Sequence, residues 1–246
     1  MTQDDRLPNG VARVRARNPS PLTLDGTNTY VVERWVVDPG PDDDEHLTAV
    51  VEAAGGSVEG IVLTHDHIDH SEGAAPLAER TGAEVVRPAG GDRAGPFEAV
   101  ATPGHAPDHV ALVAGALLFS GDTVLGTGSV FIAPGEGSLS AYLDSLRRLR
   151  ELDVEAILPG HGPVVWRPRE KLDEYIEHRL LRERLVLEAI DAGARTRDEL
   201  LDRAWSDVDF ESQPYLRYAA AYTLEAHLEK LDEEGRLPAG VERGVP

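Results

Sequence analysis

"LTHDHIDH", residues 63–70, is the most informative stretch of this chain, because it places polar, titratable side chains directly behind an apolar run. The segment "GIVLT" (60–64) is typical of a buried strand. Three histidines and two aspartates follow it within six positions, from His65 to His70. Loops at the ends of strands are where α/β proteins place functional groups. The stretch therefore predicts a functional loop whose position is fixed by the strand.

Three further apolar runs are also followed by a histidine or an aspartate. They are "TPGH", ending at His105, "FSGD", ending at Asp122, and "LPGH", ending at His161. Together with the first loop they offer five imidazoles and two carboxylates: His65, His67, Asp69, His70, His105, Asp122 and His161. These groups suit zinc and related divalent metals. One ion would leave several of them surplus, whereas two ions about 3.5–4 Å apart would use all seven.

The order of apolar patterns predicts an α/β fold followed by a helical tail. Short strands alternate with helices as far as about residue 167, which favours a layered α/β architecture. From residue 168 the pattern becomes helical, and Thr196 and Glu199 form a capping-box signature within it. We therefore expect a catalytic domain over 1–167 and a winged-helix-like module over 168–246. His46 and His227 lie in polar helical segments, and we expect both to be solvated.

Composition narrows the class of partner. The chain has 246 residues, of which 44 are acidic and 24 basic, so its formal charge is −20. This balance argues against duplex DNA as a partner, because phosphate contacts need lysine and arginine. Cysteine is absent, so disulfides and thiolate ligands are excluded. Neither a secretion signal nor an apolar run of roughly 18 residues is present, so we expect a cytoplasmic protein without membrane contact.

Successive motifs resemble those of the metallo-β-lactamase superfamily: "VVDPG", "THDHIDHSEG", "TPGHAPDH", "FSGDTVLG" and "LPGHGP". The resemblance implies an αββα sandwich with a dinuclear metal site at one edge. It implies that His65, His67 and His105 hold one metal, that Asp69, His70 and His161 hold the second, and that Asp122 bridges them. The metals are expected to be zinc, with manganese and iron as alternatives. Asp38 either supports a ligand or begins a turn.

The stretches "NPSPLTLDGTNTYVV" and "YIEHRLLRE" resemble the branch of β-lactamase-like endoribonucleases, whose members carry a C-terminal winged-helix-like module. The resemblance implies hydrolysis by a metal-bridging hydroxide, with Asp69 as the candidate catalytic residue that orients it. The substrate is either a small ester or thioester or, alternatively, single-stranded RNA. A third hypothesis is a metal-containing binding or redox module. It would require a flavodoxin-like partner domain, for which this chain is too short. We favour a small-molecule substrate because residues 171–246 carry 11 basic and 18 acidic side chains.

Several residues keep more than one interpretation. His109 orients a metal ligand, contacts substrate, or simply begins a strand. His178 and Arg179 either line the cleft as substrate contacts or anchor the long helix to the main domain. The C-terminal module is expected to pack against the domain, to form a cleft wall, or to bind a second copy or another protein.

Overall fold

The first β-sheet combines antiparallel and parallel strands. In this computed structural model, which describes residues 6–212 and 214–244, its strands are β1 (Val11–Arg15), β2 (Asn28–Val32), β3 (Trp35–Val37), β4 (Gly60–Val62) and β5 (Glu84–Val86). They lie in the order β1-β2-β3-β4-β5. The pairs β1–β2 and β2–β3 are antiparallel, whereas β3–β4 and β4–β5 are parallel.

The second sheet also has five strands. They are β6 (Arg93–Ala94), β7 (Phe97–Ala101), β8 (Val110–Ala114), β9 (Leu117–Gly121) and β10 (Ala156–Pro159), in the order β10-β9-β8-β7-β6. Only the β9–β10 pair is parallel. The parallel pair needs a crossover, and a helix between the two strands provides it.

Within the described residues, seven helices cover the sheets and form the C-terminal region. They are α1 (Asp44–Ala53), α2 (Ile68–Ser71), α3 (Ala74–Thr81), α4 (Leu139–Arg150), α5 (Pro168–Asp191), α6 (Arg197–Ala204) and α7 (Pro214–Glu233). Side-chain caps fix three of the starts: Asp43 caps α1, Ser138 caps α4, and Thr196 with Glu199 forms the predicted capping box of α6. None of the helices in the described parts of the chain is long and apolar enough to cross a membrane.

Three apolar layers hold the sheets and helices together. The inner faces of the sheets meet at Tyr30, Phe97 and Phe119, whose rings pack edge to face with centroids 5.4 Å apart. The other face of the first sheet packs against Leu47 of α1 and Leu77 of α3. The other face of the second sheet packs against α4 and α5. The predicted αββα sandwich is confirmed.

The C-terminal region is helical, as predicted. Helices α5, α6 and α7 enclose a core of their own, which includes Val186, Leu200 and Leu224. Helices α5 and α7 also contact α4 of the sandwich. From residue 168 onward the described residues contain no strand, so the resemblance to a winged helix stays a prediction. The division of the chain after residue 167 likewise stays a prediction.

Two histidine expectations are wrong. His46 is buried, and its Nε2 lies 3.0 Å from Thr29 Oγ1 and 3.1 Å from the Pro39 carbonyl. His227 is fully buried in α7, and burial lowers the pKa of its ring. Polar neighbours in the sequence suggested solvent for both positions. His46 shares the buried face of α1 with Leu47 and Val50. Helix α7 packs against α4, α5 and α6, so it has no single polar face on which sequence periodicity could place His227.

Candidate metal centre

Four strand ends deliver the predicted ligands to one edge of the sandwich. The loop from His65 to His70 follows β4, and His105 follows β7. Asp122 immediately follows β9, and His161 follows β10. The structure thus brings together all seven side chains singled out from the sequence. Their potential ligand atoms form two separate groups and a third that overlaps both, each with members within 4.8 Å of one another: His65–His67–His105, Asp69–His70–His161 and, between them, His65–His70–Asp122.

The first group joins His65, His67 and His105. His67 Nδ1 lies 3.0 Å from His105 Nε2. The other nitrogen of each ring has its own partner: His67 Nε2 lies 3.2 Å from Glu136 Oε1, and His105 Nδ1 lies 2.8 Å from the Phe131 carbonyl. A carboxylate and a carbonyl can only accept, so these two nitrogens carry the protons. The facing nitrogens therefore present lone pairs.

The second group joins Asp69, His70 and His161. Asp69 Oδ2 lies 3.1 Å from His161 Nε2 and 3.5 Å from His70 Nε2. The two ring nitrogens are themselves 3.3 Å apart. This group sits deeper than the first, since His70 and His161 are almost completely buried.

Asp122 lies between the two groups. One of its oxygens is 3.4 Å from His161 Nε2 and 3.8 Å from His105 Nε2, and the other is 3.5 Å from His70 Nε2. A position in contact with both groups is what a bridging carboxylate requires.

Some polar atoms at the centre of the cluster have no hydrogen-bond partner among the described residues, and bound cations would provide interactions for all of them. His65 Nε2 and Asp122 Oδ1 are buried without a hydrogen-bond partner, which is costly unless another group compensates. Lone pairs of imidazoles and oxygens of carboxylates converge on the same small volume. Two divalent ions would satisfy them together, so the residues present fit the metals that they predict.

Asp38 orients two of these histidines from below. Its Oδ2 accepts from His70 Nδ1 at 2.9 Å and from Thr64 Oγ1 at 2.7 Å. Because the Thr64 hydroxyl donates to Asp38, it accepts from His65 Nδ1, which lies 3.0 Å away. Both rings are thereby fixed with Nε2 facing the cluster. Asp38 also adopts φ 49°, an uncommon left-handed conformation. Of its two interpretations, the structure favours support of ligands.

His109 lies beneath the cluster. It is 1% exposed, and its Nε2 accepts from the backbone N–H of Asp122 at 3.1 Å. Its Nδ1 therefore carries the proton and donates to Thr102 Oγ1 at 2.8 Å. Burial, reinforced by His105, lowers the ring's pKa well below its usual value. His109 thus holds the backbone of Asp122 in place as a neutral imidazole.

Two glycines make the close approach of the loops feasible. A Cβ at Gly160 would meet His70 Cε1 at 2.6 Å and Asp122 Oδ1 at 2.7 Å. Gly121 has φ 46°, and a Cβ there would meet Thr64 Oγ1 at 2.6 Å. The glycine of "FSGD" and that of "LPGH" are therefore required by the packing of the cluster itself.

The charges of the cluster are strongly coupled. Burial opposes charge on His70, but the Asp122 and Asp38 carboxylates raise its pKa well above the usual value. Burial likewise opposes charge on His161, whose pKa Asp122 and Asp69 raise to about 9. Against the effect of burial, His70 and His161 hold the pKa of Asp122 well below its usual range. The carboxylates thus attract positive charge, which a metal ion would supply in place of protons.

Helix α5 supports the loop that follows Asp122. Tyr175 Oη accepts from the backbone N–H of Leu125 at 3.2 Å and donates to the Gly128 carbonyl at 2.9 Å. One turn later, the guanidinium of Arg179 donates to the Val130 carbonyl and lies over the Tyr142 ring. The Arg179 side chain is 2% exposed, so it anchors the helix to the loop.

A cleft of about 490 Å³ opens above the cluster. Its lining comprises His67, Asp69, His105, Asp122 and His161 with Pro21, Leu22, Leu24, Leu125, Thr127, Gly128, Ser129, Val130, Phe131, Ala133, Glu136 and Leu216. Wherever side chains are described, no arginine or lysine lines it. The structure does not bring the predicted substrate contacts His109, His178 and Arg179 into this cleft. No sequence pattern indicated Phe131, Glu136 or Leu216, which lie outside any ligand motif.

A family model and related proteins identify the family to which this chain belongs. The model of the metallo-β-lactamase superfamily matches residues 22–100 and 89–161, and the chain belongs to that superfamily. It is 33% identical to the β-lactamase-like protein 2 homolog of Drosophila melanogaster, over 94% of this chain and 91% of that protein. It is also 33% identical to the atrochrysone carboxyl ACP thioesterase of Aspergillus fumigatus, over 82% of this chain and 75% of that protein.

Solved structures share the fold. A β-lactamase domain protein from Burkholderia ambifaria superimposes with a TM-score of 0.76 at 21% identity, covering 94% of this chain and 88% of that one. The protein TTHA1623, solved in a di-iron-bound form, has a TM-score of 0.55 at 31% identity, covering 68% of this chain and 97% of that one. The family, the fold and the histidine–aspartate cluster define this protein as a metal-dependent hydrolase.

Proposed function

We propose that this enzyme holds two zinc ions and hydrolyses a small ester or thioester. The observation that carries the proposal is a pair of ligand groups, with Asp122 within 3.8 Å of ring nitrogens of both. They lie on the floor of a cleft that, among the described side chains, no arginine or lysine lines. One group would hold an ion through His65, His67 and His105. The other would use Asp69, His70 and His161.

Two divalent ions in this position would polarise a carbonyl oxygen and lower the pKa of a bound water, which supplies the nucleophile. Asp69 is suited to orient that water, because its carboxylate borders the cleft and its side chain is 31% exposed. Burial raises the pKa of Asp69, but the hydrogen bond from His161 and the charges of His70 and His161 together outweigh it, so the net shift is downward. As an ionised carboxylate, Asp69 can accept a proton and pass it to the leaving group.

The cleft supports a substrate without multiple negative charges. Glu136 and the ligand carboxylates border it, and its remaining surface is mainly aliphatic. A polyanion such as RNA needs cationic groups along its backbone path. A thioester needs only a carbonyl near the ligand cluster and an apolar surface for its substituents. The thioesterase among the relatives is consistent with this class of substrate.

Elemental analysis after gentle purification tests the metal part of the proposal. We expect close to two zinc ions per chain. Iron is the competing occupant, as the di-iron form of TTHA1623 indicates for that protein. Full hydrolytic activity in a protein freed of metal by chelation would contradict the proposal.

A substrate comparison tests the rest. Metal-loaded enzyme should hydrolyse small activated esters and thioesters faster than it cleaves single-stranded RNA under matched conditions. The Asp69→Ala variant serves as the control for contaminating nuclease or esterase. RNA cleavage that disappears in Asp69→Ala, with esters left untouched, would replace this proposal with the endoribonuclease alternative.

A further inference from the structure

One wall of the cleft is apolar and is assembled from three distant parts of the chain. Leu22 and Leu24 belong to the segment between β1 and β2, Val130 and Phe131 to the loop after β9, and Leu216 to α7. Leu22 is 64% exposed. These five residues are called the apolar wall below. A contiguous group of apolar side chains that lines a cleft is typical of a binding surface for an apolar ligand.

Helix α7 fixes the position of this wall. The ring of Phe131 packs on that of Tyr222, with centroids 5.2 Å apart, and Tyr222 packs on Tyr218 at 4.8 Å. The Tyr218 and Tyr222 hydroxyls are 2.7 Å apart. The backbone carbonyl of Phe131 meanwhile accepts from His105 Nδ1. Phe131 therefore contacts α7 through its ring and the ligand cluster through its backbone carbonyl.

We propose that the apolar wall binds the acyl group of the substrate and that Leu216 of α7 limits the length of that group. The inference rests on the proposed function, because it assumes that a carbonyl is presented to the ligand cluster in the same cleft. A cavity of about 490 Å³ exceeds what an acetyl group needs. An acyl chain of several carbons would cover the exposed Leu22 and the partly buried Leu24 and Leu216, and each buried methylene would strengthen binding.

The occupant is part of the substrate because the apolar wall lines the same concave cavity as His67, Asp69 and His161. A protein partner would need a broader face than this cleft provides. A second copy of the chain is the competing occupant, and its presence is measured in the same experiment.

The test uses two series of N-acetylcysteamine derivatives with acyl or alkyl chains from two to eight carbons. The thioesters report kcat/KM, and the corresponding thioethers, which cannot be hydrolysed, report Kd by calorimetry. In the wild-type enzyme we expect Kd of the thioethers to fall by up to about fourfold per added methylene until the wall is covered. The kcat/KM of the thioesters should rise in parallel.

Two substitutions at Leu216 locate the effect. Leu216→Asn should weaken the gain for the longest chains, and Leu216→Trp should move the best ligand to a shorter chain. Leu180→Asn is the matched control, since Leu180 is 41% exposed on α5 and outside the cleft lining. It should keep the wild-type dependence. Circular dichroism confirms folding, and the Trp variant preserves the test if the Asn variant is unstable.

The outcomes separate this inference from the proposed function. Thioether affinity that does not depend on chain length in the wild type overturns the acyl site, whatever the turnover. Affinity that rises with chain length, without hydrolysis of any thioester, supports the acyl site and overturns the proposed hydrolysis. A chain-length dependence identical to that of the wild type in both Leu216 variants overturns the role of α7. A dimer in sedimentation that Leu216→Asn dissociates would assign the wall to a second copy instead.

Discussion

Asp122 and Asp38 show how single carboxylates organise the centre from two sides. Asp122 lies within 3.8 Å of ring nitrogens of three histidines, which places it between the two ligand groups. Asp38 lies behind the cluster and fixes His70 directly and His65 through Thr64. One is proposed to bind metal, and the other orients the groups that do. Their loss should therefore have different consequences.

Asp122→Ala should reduce turnover more than replacement of any single proposed histidine ligand by alanine. The carboxylate serves both groups, so its removal disturbs both ions. The fold should persist, because the apolar layers hold the strands independently of metal. Steady-state kinetics, metal content and thermal unfolding measure the three effects. Near-normal turnover with normal metal content would disprove the bridging role.

Asp38→Asn should lower metal affinity by about 10–100-fold, because outer partners orient the ligands. The amide places a donor where the carboxylate accepts from His70 and Thr64. Competition with a chelator measures the affinity. Asp42→Asn is the control, since that side chain is exposed and away from the ligands. Equal affinities in the two variants would show that Asp38 does not orient the histidines.

At the scale of elements, the long helix α5 acts as a support for the loop after β9. Tyr175 and Arg179, on successive turns of one face, hold Leu125, Gly128 and Val130 through backbone hydrogen bonds. The loop in turn provides the Phe131 carbonyl that fixes His105. Helix packing thus reaches the site without contributing a metal ligand.

Tyr175→Phe should destabilise the protein by about 1–3 kcal/mol, because it leaves the buried Leu125 N–H unpaired. Amide exchange of residues 125–131 should accelerate. Denaturant unfolding and hydrogen exchange measure both effects. Tyr218→Phe, which loses only an exposed hydroxyl contact, should change stability by less than about 0.5 kcal/mol. Unchanged exchange in Tyr175→Phe would mean that the loop does not depend on α5.

At the scale of the whole molecule, charge decides which ligands approach. The chain carries a formal charge of −20, and both its sandwich and its helical tail are acidic. Neutral or singly charged substrates face little repulsion, whereas polyanions are repelled over roughly 8 Å at physiological salt. The net negative charge therefore supports the proposal of a small-molecule substrate.

Duplex DNA should not bind the full chain at physiological salt. Counterion release, which drives such binding, needs basic residues, and the segment 212–234 of the tail has only Arg217 and Lys230. Both are engaged in ion pairs with carboxylates. Fluorescence anisotropy with a labelled duplex is the measurement, repeated at low salt as a control. Sub-micromolar affinity at physiological salt would refute the charge argument.

The sequence alone predicted the layered fold and the seven side chains that meet at its edge. Both depend on local patterns: apolar runs form strands, and the residues at strand ends of a layered fold share an edge. Strand β1 (Val11–Arg15) was not predicted, because two arginines interrupt the apolar residues of "VARVR". The structure tolerates them because β1 lies at the edge of the first sheet. The metal-binding roles of the seven residues stay predictions.

Only the tertiary structure decided what surrounds the cluster. It buried His46 and His227, placed His109 beneath Asp122, turned Arg179 towards the Val130 carbonyl, and brought Leu216 to the cleft. Each of these depends on a partner many residues away in the chain. Sequence periodicity reports only which face of an element is apolar. Which distant element covers that face is settled by packing, where shape and hydrogen-bond geometry must be satisfied together.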